Sequence, residues 1–203
     1  MLDAYIYGGL RTPIGRHGGA LSGVRPDDLI ANLIERVVAD SPFAGQAIED
    51  VILGCTGQAG EDTRNVARNA ALLAGLGHEV PGQTVNRLCS SGLAAVLDAA
   101  RAITCGDGEL YLAGGVESMS RAPFVLAKAE RAFSREVRMF DTTLGPRFSN
   151  PRLVERYGDD TMTHTSDNVA REHGITRQDA DAYAARSQQR CAAAQARGFL
   201  AGE

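Results

Sequence analysis

The feature that most constrains the fold is a regular alternation of short apolar runs and helical stretches over residues 50–114. The apolar runs predict buried strands at 50–55, 82–87 and 109–114, and the stretches between them have helical spacing at 63–76 and 90–104. This β-α-β-α-β order predicts a largely parallel sheet with helices packed on its faces, an α/β fold.

Two elements extend this pattern towards the N-terminus. Residues 3–8 alternate and predict a further strand, and Pro26-Asp27-Asp28 opens a helix, since proline and carboxylates suit a first helical turn. The helix over 90–104 is apolar nearly all round, which predicts burial between two layers.

The last part of the chain has a different character, and we predict two domains, 1–118 and 119–203. Residues 119–160 are loop-rich and basic, and two helices follow. The second begins at Thr176 with Asp179 at the capping-box position. It is expected to bury one face, formed by Ala180, Tyr183, Ala184, Ser187, Cys191 and Ala194.

Charge is unevenly distributed along the chain. The net charge is −4, but residues 121–156 hold eight basic and four acidic side chains. A local positive field of this kind suits a phosphorylated ligand, whereas the alternative is a solvated arginine-rich loop. Aromatic residues are few there and no nucleic-acid-binding module is recognisable, so a nucleic-acid partner is not expected.

The four cysteines are far apart in sequence and form no CxxC pair, which argues against a disulfide scaffold and a zinc site. Free thiols suit a reducing cytoplasm, which is the expected location. The sequence shows neither a long uncharged apolar stretch nor a secretory signal pattern, so no membrane partner is expected.

Cys89 is the candidate nucleophile. It lies in Asn86-Arg87-Leu88-Cys89-Ser90-Ser91-Gly92, between a predicted strand and a predicted helix. The positive end of the following helix stabilises a thiolate, which is the nucleophilic form, and the Cys89 amide could donate to a developing oxyanion. A buried structural cysteine is the alternative, and it is the expected role of Cys55, Cys105 and Cys191.

The histidines are candidate bases for Cys89, although none lies in a recognisable catalytic setting. Loop or surface positions are the default expectation for all four, His17, His78, His164 and His173.

These residues resemble the N-terminal half of the thiolases, the acyl-CoA acetyltransferases. The resemblance depends on 11–15 (RTPIG), 57–60 (GQAG), 65–68 (NVAR), 86–92 (NRLCSSG) and 114–120 (GGVESMS). Residues 11–19, 58–68 and 140–143 look most like the β-ketoadipyl-CoA thiolases of aromatic catabolism. The implied fold is a layered thiolase-type sheet with helices on both faces and a loop-rich subdomain that covers coenzyme A.

The resemblance also implies a chemistry. Cys89 would accept the acyl group from acyl-CoA, in CoA-dependent cleavage or formation of a 3-ketoacyl-CoA. Met162, Arg135 and Arg138 would contact coenzyme A, which is a substrate, and neither a prosthetic group nor a metal is implied. The intact enzyme is expected to be a homo-oligomer, a dimer or tetramer.

The family's second half supplies a histidine in a Gly-His-Pro segment and a second cysteine in a Cys-Gly-Gly-Gly segment. Neither occurs before Glu203, so the second thiolase half is expected to be absent and the chain alone nearly inactive. The alternative is a non-catalytic CoA-binding or assembly module from a truncated thiolase. A ketoacyl-synthase relative is disfavoured by residues 114–120.

Overall fold

A computed structural model describes residues 2–202, so Met1 and Glu203 lie outside the described range. The chain divides into two compact units, Met1–Leu144 and Gly145–Glu203, and each is described by itself. The predicted domain boundary after residue 118 stays a prediction.

The described residues of the first unit, 2–144, form three helices and five strands, together with 3₁₀ turns at Gly45–Ala47 and Met119–Arg121. In chain order they are α1 (Pro26–Asp40), β1 (Asp50–Gly54), α2 (Val66–Leu73), β2 (Gly82–Val85), α3 (Ser91–Cys105), β3 (Tyr111–Gly115), β4 (Phe124–Leu126) and β5 (Met139–Asp141). The second unit contains α4 (Pro151–Tyr157), α5 (Met162–Glu172) and α6 (Arg177–Ala196).

The predicted parallel sheet is confirmed. The strand order is β2-β1-β3, and both neighbours run parallel to β1. Val51 lies opposite Gly82 on one side and Leu112 on the other, which sets the register. Since all three strands point the same way, the segments that follow them meet at one edge of the sheet.

Helices cover both faces of this sheet, as predicted. Val51 and Leu53 pack with α1 and α2 in one cluster of buried residues. Ile52 points to the opposite face, where it packs with Ala95 and Ala99 of α3. The alternation of side chains along β1 therefore places a core on each side of the strand.

The start of α3 lies directly on β1. A Cβ added to Gly54 would lie 2.3 Å from the Ser91 carbonyl carbon, so only glycine admits this approach. The predicted burial of α3 between two layers is wrong for the described residues. Only the face that holds Ala94, Ala95 and Ala99 is buried, and Leu93 on the helix is 63% exposed.

One segment, Leu88–Cys105, is long and apolar enough to cross a membrane by length and composition, with a mean hydropathy of 1.3. Core helices of globular proteins pass the same test. This segment contains α3, whose alanine face packs on the sheet, and 22% of the segment is buried.

The predicted strand at 3–8 is wrong, because these residues form no strand. The Asp3 amide donates to Thr104 Oγ1 at 2.9 Å, but Tyr5 is 91% exposed. A strand needs a neighbour with free backbone groups, and the described sheet pairs only β1, β2 and β3. The alternating pattern is present without a pairing partner among residues 2–202.

The two closing helices are confirmed, including the capping box at Thr176 and Asp179. The predicted buried face of α6 is wrong, since this helix has no buried residue and Tyr183 is 69% exposed. Its alanine-rich composition favours helix formation without requiring burial.

Candidate functional site

The carboxyl edge of the sheet collects three polar segments. Thr56 and Gly57 follow β1, residues 86–90 follow β2, and Glu117 follows β3. In open α/β sheets, ligands bind outside the carboxyl ends of the strands, where such segments converge. This edge is the candidate active site.

Cys89 lies on a tight turn between β2 and α3. Leu88 has φ of +51°, a left-handed conformation that bulky residues rarely adopt. The Ser91 hydroxyl accepts from the Arg87 amide at 2.8 Å and donates to the Leu88 carbonyl at 2.6 Å. These bonds fold the chain sharply and place Cys89 at the apex.

The Cys89 side chain is exposed, two residues before the first residue of α3. Its own amide donates to no protein acceptor among residues 2–202. The positive end of α3 and the Cys89 amide therefore lie close to the sulfur along the chain. The helix end favours a thiolate, and the amide is available to donate to the oxyanion that develops on an attacked carbonyl oxygen.

Glu117 ties the end of β3 to the end of β1. Its carboxylate accepts from the Thr56 amide at 2.8 Å, the Thr56 hydroxyl at 2.5 Å and the Gly57 amide at 3.0 Å. A Cβ added to Gly57 would lie 2.8 Å from Glu117 Oε1, so the glycine admits the carboxylate. The sequence motif at 114–120 had indicated a family but not this contact.

Cys55 lies beneath this carboxylate and is structural, as predicted. Its sulfur is 3.9 Å from Asp62 Oδ2, and burial, with the charges of Glu117 and Asp62, raises the pKa of the thiol to about 12. Burial also raises the pKa of Asp62. Cys55 is therefore a protonated thiol at neutral pH and not a nucleophile.

Ligand atoms of Cys55, Asp62 and Glu117 lie within 4.8 Å of one another, a spacing that a metal ion could use. A neutral thiol is a poor ligand, and the Glu117 carboxylate already accepts three hydrogen bonds. The expectation of no metal site stays a prediction.

A cavity of about 350 Å³ lies beside this edge of the sheet. Residues 11–17 form one wall, and residues 115–120, directly after the end of β3, form another. The Gly18 amide donates to Ser120 Oγ at 2.8 Å, which joins the two walls. His17 lines this cavity, whereas Cys89 is not among its lining residues.

Cys105 and Cys191 were predicted to be structural, but both are exposed. Cys105 is the last residue of α3, so the same helix carries an exposed thiol at each end. The two sulfurs differ in the helix terminus beside them, which makes Cys105 a natural reference for Cys89.

Arg121, the first residue of the basic segment, is held by the protein itself. Its guanidinium pairs with both oxygens of Glu61 and lowers the pKa of that carboxyl. It also donates to the Ser22 carbonyl at 3.1 Å. Arg121 therefore stabilises the loop after β3.

The three residues predicted to contact coenzyme A are exposed. Arg138 pairs with Glu130 at 2.5 Å, and Arg135 lies four positions before the first residue of β5 in the first unit. Met162 begins α5 in the second unit and is 80% exposed. Their role in ligand contact stays a prediction.

Comparison with known proteins gives a consistent family. The thiolase N-terminal domain model matches residues 4–203. The β-ketoadipyl-CoA thiolase of Escherichia coli is 58% identical over 204 residues, which cover 100% of this chain and 51% of that protein. The Pseudomonas putida β-ketoadipyl-CoA thiolase is 54% identical over 204 residues, with the same coverage.

A solved structure shows the same architecture. The crystal structure of the Bacillus anthracis acetyl-CoA acetyltransferase matches with a TM-score of 0.81 and 34% identity, covering 94% of this chain and 47% of that one. The chain spans about half the length of the curated relatives it matches.

Proposed function

The chain belongs to the thiolase family, and from this premise we propose that it carries the acyl-accepting cysteine of an acyl-CoA acyltransferase. The observation that supports this proposal most directly is the position of Cys89, exposed on a strained turn at the start of α3. Cys55, the nearest alternative at this edge, is buried and protonated.

The proposed step is a thioester exchange. The Cys89 sulfur, having given up its proton, attacks the carbonyl carbon of acyl-CoA. A sulfur–carbon bond to Cys89 forms, the bond between the carbonyl and the CoA sulfur breaks, and CoA leaves and takes up a proton. The acyl group then rests on Cys89, so that one difficult transfer is divided into two easier ones.

The oxyanion formed during this step needs a donor. We place the Cys89 amide in that role, because it has no protein acceptor among residues 2–202 and lies at the positive end of α3. Removing one such donor typically costs about 10²–10³-fold in rate.

Membership of the family supports a proposal for the substrate class. We propose a 3-ketoacyl-CoA, of the β-ketoadipyl type that the names of the relatives suggest, cleaved by coenzyme A or formed in reverse. Arg135, Arg138 and Met162 are the proposed contacts to coenzyme A, with Arg138 exchanging its Glu130 partner for a phosphate. The loop-rich segment that holds the two arginines would cover this substrate, and no prosthetic group is needed.

We propose that the intact enzyme is a homo-oligomer, a dimer or tetramer. We also propose that it lies in the cytoplasm, where free thiols persist. Gly-His-Pro and Cys-Gly-Gly-Gly segments do not occur in the 203 residues. We therefore expect these residues alone to accept an acyl group slowly and to turn over very little.

The second candidate function is CoA binding without chemistry. It is favoured by His17 and His78, the two histidines of the first unit, since no hydrogen bond among the described residues of that unit joins either of them to Cys89. Calorimetric titration with coenzyme A, beside an assay for acyl transfer, separates the two. Binding with no acyl adduct supports the module.

The acylation test uses the two thiols at the ends of α3. The chain is incubated with acetyl-CoA and its mass is measured, followed by peptide mapping. We expect one acetyl group on Cys89, none in Cys89→Ser, and an unchanged adduct in Cys105→Ser. An adduct that persists in Cys89→Ser would refute the assignment.

A further inference from the structure

A side-chain relay joins the end of β3 to the turn that presents Cys89. Its first link is the Glu117 carboxylate, which holds the Thr56 amide and hydroxyl and the Gly57 amide with three hydrogen bonds. Hydrogen bonds to a charged acceptor are stronger than neutral ones. Glu117 thereby fixes the backbone directly after β1.

The second link is Asn86. Its amide nitrogen donates to the Thr56 carbonyl at 3.4 Å, and its side-chain oxygen accepts from the Leu88 amide at 3.0 Å. One side chain therefore contacts both the segment that Glu117 holds and the turn before Cys89. Asn86 is exposed, so the relay lies at the open edge of the sheet.

The third link is the strained turn. Leu88 has φ of +51°, and such a conformation persists only where surrounding contacts impose it. The Leu88 amide bonds to Asn86, and the Leu88 carbonyl accepts from the Ser91 hydroxyl and amide. Both peptide groups of Leu88 are thus held, from opposite sides of the turn.

We propose that Glu117 is a positioning residue for Cys89, acting through Thr56 and Asn86 on the conformation of Leu88. This inference rests on the proposed function for its chemical consequence, since Cys89 is the acyl acceptor there. Glu117 itself touches none of the reacting atoms in this account. It holds the turn so that the sulfur and the Cys89 amide face the same acyl carbonyl.

The chain contains a matched control at the other end of the same strands. The Glu49 carboxylate, just before β1, accepts from the Glu109 and Leu110 amides just before β3. Glu49→Gln weakens a comparable clamp between β1 and β3 without touching the turn. Glu117→Gln weakens the clamp that leads to Cys89.

Two readouts are measured on the same variants. Hydrogen–deuterium exchange of peptides covering 86–91 reports the turn and needs no substrate. The rate of acetyl transfer from acetyl-CoA to Cys89 reports its consequence. We expect Glu117→Gln to speed exchange at 86–91 and slow acylation about tenfold, while Glu49→Gln changes each by less than about twofold.

Coupling tests the route through Asn86. Asn86→Ala should reproduce the effects of Glu117→Gln, and adding Glu117→Gln to Asn86→Ala should change either readout by less than about twofold, because both act through one path. Asn86→Asp keeps the oxygen that accepts from Leu88, so it should restore most of the protection at 86–91 that Asn86→Ala loses. Additive effects of Glu117→Gln and Asn86→Ala would overturn the relay.

The two readouts distinguish failure of the proposed acyl-transfer function from failure of the proposed role of Glu117. If the wild-type chain takes no acetyl group, the proposed function fails, and exchange at 86–91 still decides the relay. If acylation proceeds but Glu117→Gln leaves exchange at 86–91 unchanged, the relay fails alone. Should Glu117→Gln melt early, Thr56→Val removes only the hydroxyl bond and should shift exchange at 86–91 in the same direction; no shift there overturns the proposal.

Discussion

Each end of the parallel sheet has a carboxylate that accepts hydrogen bonds from two backbone amides, but the two carboxylates differ in what they position. At the amino end, the Glu49 carboxylate holds two amides in the turn before β3. At the carboxyl end, Glu117 holds two amides after β1, and Asn86 carries the contact onward to a strained turn and Cys89.

This difference has a physical origin. Parallel strands return through helices, so the carboxyl end is where each chain segment leaves a strand and enters a helix N-terminus. The N-terminus of α3 favours negative charge, whereas its C-terminus, at Cys105, does not. A carboxylate clamp at the carboxyl end can therefore position a nucleophile, while the same clamp at the other end only stabilises the sheet.

The largest expected effect is a difference in thiol reactivity between a cysteine buried beneath the carboxyl end of the sheet and an exposed cysteine at the amino end. With its pKa raised to about 12, the Cys55 thiol should react with iodoacetamide at pH 8 about 10³-fold more slowly than the exposed Cys105 at the amino end. Peptide-resolved alkylation under native conditions checks this. Cys55 labelling as fast as Cys105 labelling would contradict a buried, protonated thiol.

The next effect compares two glycines, one at each end. Gly54→Ala places a Cβ against the Ser91 and Gly92 backbone, at 2.3 and 2.5 Å, and should lower the free energy of unfolding by about 3 kcal/mol. In Gly108→Ala the new Cβ meets the Glu49 carboxylate, which can move aside, so a loss of about 1 kcal/mol is expected.

Urea denaturation of both glycine variants measures the difference. Equal losses would mean that α3 can shift away from β1 as readily as the Glu49 side chain can rotate. Such a result would weaken the case that the start of α3, and with it Cys89, is rigidly placed.

The smallest effect concerns two carboxyl groups, Asp62 at the carboxyl end and Asp50 at the amino end. Burial raises the pKa of each. A raised pKa means that the folded state keeps its proton at a pH where the unfolded chain has lost it. The free energy of unfolding therefore falls as pH rises from the unfolded pKa, near 3.8, through the raised folded pKa, and the cost persists at neutral pH.

Asp62→Asn should remove that cost and slightly stabilise the fold at pH 7. Asp50→Asn should gain less, since the charge of Glu117 adds to burial only at Asp62. Thermal melts of both variants at pH 4 and pH 7 check the sign. A gain for Asp62→Asn that is as large at pH 4 as at pH 7 would contradict it.

The sequence correctly predicted the elements that are specified by local hydrogen bonds or by the burial of a short apolar run. The strands β1, β2 and β3, the helices between them and the capping box at Thr176 are all confirmed. Each depends on a short-range signal, such as a continuous apolar run or a side chain three residues from a helix start.

Sequence reasoning failed where a signal requires a partner that the described residues do not supply. Residues 3–8 alternate like a strand and α6 carries a small-residue face, but no neighbouring element covers either. Periodicity states that a face can be buried; it does not state which element buries it. The same holds for the apolar face of α3 around Leu93.

The sequence by itself determined the class of fold, the family and the identity of the candidate nucleophile, because strand alternation and the motif around Cys89 are properties of neighbouring residues. Only the tertiary structure decided which groups act on that nucleophile. Thr56 lies 61 positions before Glu117 and 30 positions before Asn86. Parallel pairing of three strands nevertheless brings the three residues to one edge of the sheet. Their contacts depend on which strands pair and in what order, and this is decided by contacts between residues far apart in the sequence.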